Sequence, residues 1–429
     1  MRRLLLSAAL LAAGLTASAQ KITFIPTSIS AFLQGEVISN NGKYLGGSDT
    51  AGQAFIYDTT TGEIKFFASP NLDQETTDIN NAALYSINND GVAVGYLERK
   101  ATEFNYATGK YETLLNESSI AKYMANDGTI FGITYNDAYD RTPFMMKDGV
   151  KTDLPMATEE WAGYENSGFD INNANADGSI IVGFGQDNYD SYPMTIWAKN
   201  KDNKTYSIVP ASKKYLDTTY ELNGHQPYDW FEGAAISSNG KWIAAMLHGK
   251  NDNEHGLSIV RYHVDTDSIE VINCPETDNN YYYYANSVAD DGTIIGYAEN
   301  QMSYGRFAII CKGGENEAKR MSEVFPELTE IATMDGYDNN TPCMITPDGR
   351  YITGFGYIDF DDSNLCFGTY VIDTQDNTDG VESIKDNGNS NSVKATYTVD
   401  GKAAKRFDGS RKSIVINKMA NGQTKKVVK

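Results

Sequence analysis

The sequence predicts an all-β protein: a seven-bladed β-propeller of four-stranded blades, followed by a small C-terminal antiparallel β module. Three observations lead there. A short hairpin signature recurs seven times, each copy is followed by a second pair of strands, and the signature glycines return about every fifty residues, the size of one four-stranded blade with its loops. The clearest copy is Ile87-Asn88-Asn89-Asp90-Gly91-Val92-Ala93-Val94-Gly95-Tyr96. The others run from Ile38 to Gly46, Met124 to Gly132, Ile171 to Gly183, Ile236 to Ala245, Val288 to Gly296 and Ile345 to Gly354. An Asn-Gly or Asp-Gly pair between apolar runs predicts a type I′ hairpin turn, which needs positive φ at both central residues.

From the N-terminus, Arg2 and Arg3 precede an apolar run from Leu4 to Leu15, and Ala17-Ser18-Ala19 offers the small residues of a cleavage site. Residues 1–19 therefore read as an export signal. No later stretch approaches the roughly 20 apolar residues of a membrane span. The expected mature protein is soluble, without a transmembrane segment, and passes through the periplasm to the cell surface or the medium.

In the body, residues 20–380, each hairpin is followed by a second strand pair. These are Ala54 to Asp58 with Glu63 to Phe67, Thr102 to Tyr106 with Lys110 to Leu114, and Pro143 to Lys147 with Val150 to Leu154. Later come Met194 to Lys199 with Thr205 to Val209, Leu257 to Val264 with Ser268 to Ile272, and a strand from Phe307 to Lys312. One blade cannot hide both faces of its sheet, so consecutive blades bury them against each other around an axis. In the seventh unit Leu365 to Asp373 supplies a third strand, but the polar Thr374 to Gly380 supplies no fourth. Lys21 to Pro26 has no other assignment and is expected to fill that edge and close the ring.

Charge separates two parts. The formal net charge is −21. Residues 381–429 hold eleven Lys and Arg against four Asp and Glu, a net +7, so with Arg2 and Arg3 removed the body carries −30. Such an acidic body argues against nucleic acid or an anionic membrane as partner. Cys274, Cys311, Cys343 and Cys366 show no CxxC spacing, which argues against zinc and leaves disulfides and buried thiols both open.

The repeat units resemble the HAF family of extracellular repeats, in which an Ile-Asn-x-x-Gly-x-x-Val-Gly hairpin leads to an Ala-Phe-x-Trp-x-x-Gly strand pair. Ala54-Phe55-Ile56-Tyr57 and Met194-Thr195-Ile196-Trp197 carry the second half, and Ala244-Ala245 of the fifth unit stand where glycine is usual. The resemblance, over residues 34–373, implies a propeller.

Beyond a polar linker, residues 381–392, strands are expected again over Lys394 to Val399, Lys402 to Arg406, Ser413 to Met419 and Thr424 to Val428. Tyr397-Thr398-Val399-Asp400-Gly401-Lys402 and Asn417-Lys418-Met419-Ala420-Asn421-Gly422 resemble the C-terminal sorting domain of the Bacteroidetes type IX secretion route. That resemblance implies that residues 393–429 are read by secretion machinery.

Catalytic signatures are absent. Four histidines show no ligand spacing, and there is no Gly-x-Ser-x-Gly elbow, P-loop or dinucleotide fingerprint. No cofactor is expected, although acidic loops offer the oxygen ligands that calcium takes. Loop length is more informative. In a four-stranded meander, first-to-second and third-to-fourth turns share one end of the ring, and these are short. The long connections, from Ser69, Pro155, Gly183, Pro210, Asn273, Gly313 and Gly354 onward, fall at the other end. Such loops on a rigid scaffold carry function. They set aromatics beside carboxylates: Trp161, Tyr164, Asp187, Tyr189, Tyr192, Tyr228, Trp230, Tyr282, Asp335, Tyr337, Tyr357 and Asp359. Flat amphipathic rings suit a sugar or a protein partner. The expected function is a non-catalytic binding propeller that recognises a glycan or protein through this face. The alternative is a carbohydrate-active hydrolase or lyase with paired carboxylates in the central funnel.

Overall fold

The structure, a computed structural model, describes residues 21–25, 33–49, 51–68, 81–136, 140–156, 169–185, 194–209, 231–247, 258–275, 280–303, 305–326, 328, 340–359, 365–375, 393–398, 414–419 and 424–428. The chain divides into two compact units, residues 22–374 and residues 1–21 with 375–429.

The larger unit is a ring of seven four-stranded antiparallel blades. Strand β1 (Lys21–Phe24) precedes blade one, which holds β2 (Leu33–Ile38), β3 (Tyr44–Asp49), β4 (Ala54–Asp58) and β5 (Ile64–Phe67). Blade two holds β6 (Ala82–Ile87), β7 (Val92–Leu97), β8 (Lys100–Asn105) and β9 (Lys110–Thr113). Blade three holds β10 (Ser119–Met124), β11 (Ile130–Tyr135), β12 (Arg141–Lys147) and β13 (Val150–Asp153). Blade four follows with β14 (Phe169–Ala174), β15 (Ile180–Gly185), β16 (Met194–Lys199) and β17 (Tyr206–Val209). In blade five are β18 (Phe231–Ile236), β19 (Trp242–Leu247), β20 (Ser258–His263) and β21 (Ser268–Ile272). Blade six has β22 (Tyr281–Val288), β23 (Ile294–Asn300), β24 (Arg306–Cys311) and the two-residue β25 (Lys319–Arg320), then the single turn α1 (Met321–Val324). Blade seven has β26 (Thr341–Ile345), β27 (Tyr351–Asp359) and β28 (Leu365–Asp373), and its fourth strand is β1. The expected closure is therefore present. Ile25 N donates to Thr369 O at 2.9 Å, and Thr369 Oγ1 accepts from Gly35 N and donates to Leu33 O, both at 2.8 Å, tying β28 to blade one.

The core follows from this topology. The buried apolar residues form seven clusters among the described residues, one at each junction between blades. Phe67, Leu84 and Phe104 sit between blades one and two, and Ile25, Leu45, Phe55 and Val371 between seven and one. Arg261 is the buried cation among the described residues: its guanidinium leaves blade five to bond Gly292 O at 3.0 Å, Lys312 O at 3.1 Å and Glu315 O at 2.5 Å, and Glu270 of its own blade balances its charge.

The seven signature turns are not of type I′. In each, only the glycine has positive φ, from 65° at Gly178 to 87° at Gly292, and the Asx before it does not. The glycine N–H returns to the carbonyl three residues back, as from Gly42 to Ser39 at 2.8 Å. This is a type I turn followed by a left-handed residue, which closes three- and four-residue hairpin loops. Side chains decide it, because the residue that opens the turn or its Asx accepts the returning N–H groups, as Asn88 Oδ1 accepts from Asp90 N and Val92 N. The two-residue loops with both φ positive lie elsewhere, at Glu98-Arg99 and Asp148-Gly149.

Two expected loops are strands. The tyrosines Tyr281–Tyr284 lie in β22, and β27 continues beyond Gly354 to pair as far as Asp359 with Leu365. Runs of aromatic and β-branched residues with no turn signal extend the pairing past the signature. In the smaller unit β29 (Val393–Thr398), β30 (Ile414–Met419) and β31 (Thr424–Val428) form an antiparallel sheet in chain order. The strand expected over Lys402 to Arg406 lies outside the described residues.

A candidate binding site in the central channel

One local feature repeats in every blade and builds the site. The first, innermost strand carries a β-bulge: the register to its neighbour jumps over Glu36, Tyr85, Lys122, Asn172, Asn286 and Cys343. In blade five it jumps over Gly233 and Ala234. The signature glycine makes this bulge fit. At Gly95 a Cβ would run into the carbonyl oxygen of Ala83, two residues before the bulged Tyr85. In blade five Gly233 and Ala234 lie opposite Ala245, which stands in place of that glycine, so the register again shifts by one residue. A bulge re-aims one side chain and leaves part of the ladder unpaired. Neighbouring blades satisfy what is left: Met124 N donates to Ser86 Oγ at 3.3 Å and Ile345 N to Ser287 Oγ at 3.2 Å.

All six bulged side chains line one cavity of about 490 Å³, with Leu84, Tyr123, Met246, Tyr284 and Met344 among its other walls. At one end the signature turns bond to each other from blade to blade. Asn41 N donates to Asn89 Oδ1 at 3.0 Å, Asn126 N to Ala176 O at 2.8 Å, Asn239 N to Asp290 Oδ1 at 2.8 Å and Asp290 N to Pro347 O at 2.8 Å. The long connections leave from the opposite end.

Charge in the cavity is unevenly matched. Glu36 is half-buried and makes no hydrogen bond or ion pair with a described residue. Burial pushes its carboxyl up to about 7, against a smaller opposing pull from Lys122. Lys122 is itself engaged: Nζ lies 4.6 Å from the centre of the Tyr85 ring and 3.8 Å from Asp170 Oδ1. Asp170 is buried, holds Arg141 at 3.1 Å through Oδ2, and its Oδ1 has no hydrogen bond. The Tyr85 ring, 37% exposed into the channel, stacks on Tyr96 at 6.2 Å, and burial, then Tyr96 and Glu36, raise its phenol. Tyr284 stacks on Tyr297 at 4.7 Å. Burial, with Asp177 and Asp290 of the turn end, pushes the Tyr123 phenol up to about 12. The Cys343 thiol is raised by burial and by Glu36.

The loop residues named from sequence meet this site only in part. Tyr282 is half-buried on β22, two residues from the cavity-lining Tyr284, and Tyr357 and Asp359 lie on β27. Trp161, Tyr164, Asp187, Tyr189, Tyr192, Tyr228, Trp230, Asp335 and Tyr337 lie outside the described residues. Sequence reading passed over Glu36, Tyr85, Lys122, Asn172 and Asn286. Their signal was available, since each sits six residues before the turn glycine of its hairpin and breaks the two-residue alternation of its strand. Among the described residues, no group of three His, Cys, Asp or Glu could hold a metal ion. Cys274, Cys311 and Cys343 are free thiols, and the Cys366 side chain lies outside the description.

No family model and no curated protein matches this chain. Among solved structures it is similar to the β-propeller domain of Cps50 (Swd1) from Myceliophteria thermophila, with a TM-score of 0.50 and 10% identity over 82% of this chain and 99% of that one. An oligogalacturonate lyase from Vibrio parahaemolyticus aligns at TM-score 0.47 and 12% identity over 83% of this chain and 94% of its own. TolB from Acinetobacter baumannii aligns at TM-score 0.33 and 12% identity, over 68% of this chain and 66% of that one. At such identities likeness shows the fold, a propeller, and nothing further.

Proposed function

We propose that this protein is an exported, non-catalytic binding propeller that takes a glycan through the insert-bearing end of its ring into the central channel. The observation that carries this reading is the bulge of each blade's innermost strand, which supplies a cavity of ligand size with aromatic faces and amide groups. Tyr123 and Tyr284 suit the apolar face of a sugar ring, while Asn172 and Asn286 suit its hydroxyls. Hydrolysis by two carboxylates needs a pair about 5 to 10 Å apart. Glu36 is the single carboxylate among the described lining residues. The C-terminal module, in this proposal, addresses the protein to type IX-like secretion machinery, after the resemblance of its Tyr397 and Asn417 motifs.

A glycan array probed with the full chain, followed by titration of each hit, tests the reading. The expected result is a saturable glycan ligand recovered intact and lost in Tyr85→Ala. An empty array beside a specific protein captured in a pull-down would make the channel end a protein-docking surface instead. One observation favours a second reading: a carboxyl titrating near 7 is poised to move a proton, which a lyase or hydrolase requires. New reducing ends or unsaturated products from a polysaccharide, abolished in Glu36→Gln, would establish that reading over binding.

A further inference from the structure

Glu36 is a carboxylate turned into a cavity with no hydrogen-bond or ion-pair partner among the described residues. Lys122, the cation in the lining, is already taken by Asp170 and by the face of Tyr85. A lone carboxylate out of reach of full hydration is unfavourable, and a ligand that brings a positive charge to it relieves that penalty. The walls suit the same charge. Tyr123 and Tyr284 offer π faces, which attract ammonium groups within about 6 Å. The surrounding field has the same sense: Asp177 and Asp290 of the turn end act on Tyr123 within the channel, and the chain as a whole carries −21. Such a field concentrates cations.

We propose that the channel is a binding site for a protonated amine, with Glu36 as its anchor and the tyrosines as its walls. Resting on the glycan reading above, the ligand is an amino sugar. Its ammonium meets Glu36, its ring meets a tyrosine, and its hydroxyls meet Asn172 and Asn286, whose Nδ2 in Asn286 is already given to Pro342 O at 2.6 Å. A neutral or acidic sugar leaves Glu36 uncompensated or opposes it.

The titration of Glu36 gives the proposal a second readout. The groups facing it are Lys122 from β10, Tyr85 from β6 and Cys343 from β26. Of these, Glu36 is the group that changes charge between about pH 5.5 and 7.5. An ammonium ligand needs the ionised form, so between about pH 5.5 and 6.5, where the amine keeps its proton, binding tightens as pH rises and releases a proton from the site.

The test is calorimetric titration of the full chain with a glucosamine tetramer, its N-acetylated counterpart and a galacturonic acid tetramer. At about pH 6.5, where the amines are largely protonated, the free amine is expected to bind about tenfold tighter than the N-acetylated form. Glu36→Gln should erase that difference and the rise of affinity between about pH 5.5 and 6.5, with an unchanged circular dichroism spectrum. Equal binding of amine and N-acetyl forms in wild type and variant would overturn the ammonium while leaving the glycan reading intact. Preference for the galacturonate, lost in Lys122→Gln, would assign the site to anions. If no oligosaccharide binds and a lysine-rich peptide does, the glycan reading itself falls.

Discussion

At the residue scale Glu36 sets a stability prediction. Its carboxyl is raised in the folded state from the ordinary 4.5 to about 7, so the folded protein holds this proton where the unfolded chain has released it. Stability is therefore lost as pH rises from about 4.5 through about 7 and stays lost above. Glu36→Gln removes that loss and should stabilise the ring by about 1 to 3 kcal/mol at pH 8. Near pH 4 it should change little, and urea denaturation at the two pH values checks the sign. The glycines give a second, graded prediction. Gly128 has φ of 79° and nothing within 4 Å of a built Cβ, so Gly128→Val should cost about 1 to 2 kcal/mol from backbone strain alone. Gly95→Ala forces a methyl against the Ala83 carbonyl and should cost more, about 3 kcal/mol, with displacement of the bulged Tyr85 into or out of the channel. Equal costs at the two sites, by denaturant titration, would mean that the bulge yields freely.

At the element scale the closure of the ring rests on β1 and on Thr369. Deleting Lys21 to Ile25 leaves β28 with an open edge and removes Ile25 from the cluster between blades seven and one. Unfolding should then begin at that junction and lose cooperativity, seen as separated fluorescence and circular dichroism transitions. Thr369→Val keeps the shape but leaves Gly35 N and Leu33 O without their 2.8 Å partner, a loss of about 2 kcal/mol or more for two buried groups. Its measured effect separates the hydrogen bonds from the strand pairing. Hairpin placement was legible in the sequence because Asx-Gly pairs and flanking apolar runs are local. The turn type was not, because Ser39, Asn88 and their counterparts bond back into the loop and replace the two-residue turn by a longer one.

At the scale of the whole molecule two units of opposite charge share one chain, and the smaller is a three-stranded sheet of its own. Truncation after Gly380 is expected to leave the melting of the ring unchanged and to alter the destination of the protein, retaining it in the periplasm. Scanning calorimetry and fractionation check the two halves of that statement separately. At physiological ionic strength the screening length is about 8 Å, so charge alone gives the two units little mutual stabilisation.

The sequence by itself determined the repeat, the seven blades, the need for a borrowed final strand and most strand positions, since period, turn residues and alternation act over a few residues. It also carried the offset residues Glu36, Tyr85, Lys122, Asn172, Asn286 and Cys343, but as six separate local irregularities with no visible relation. Only closure of the ring brought the six together around one axis, where burial raises Glu36, and Asp170 from the fourth blade engages the Lys122 of the third. Charge and hydration in that channel depend on which blades face each other across it. That distance in sequence is up to the length of the body, and no local pattern records it.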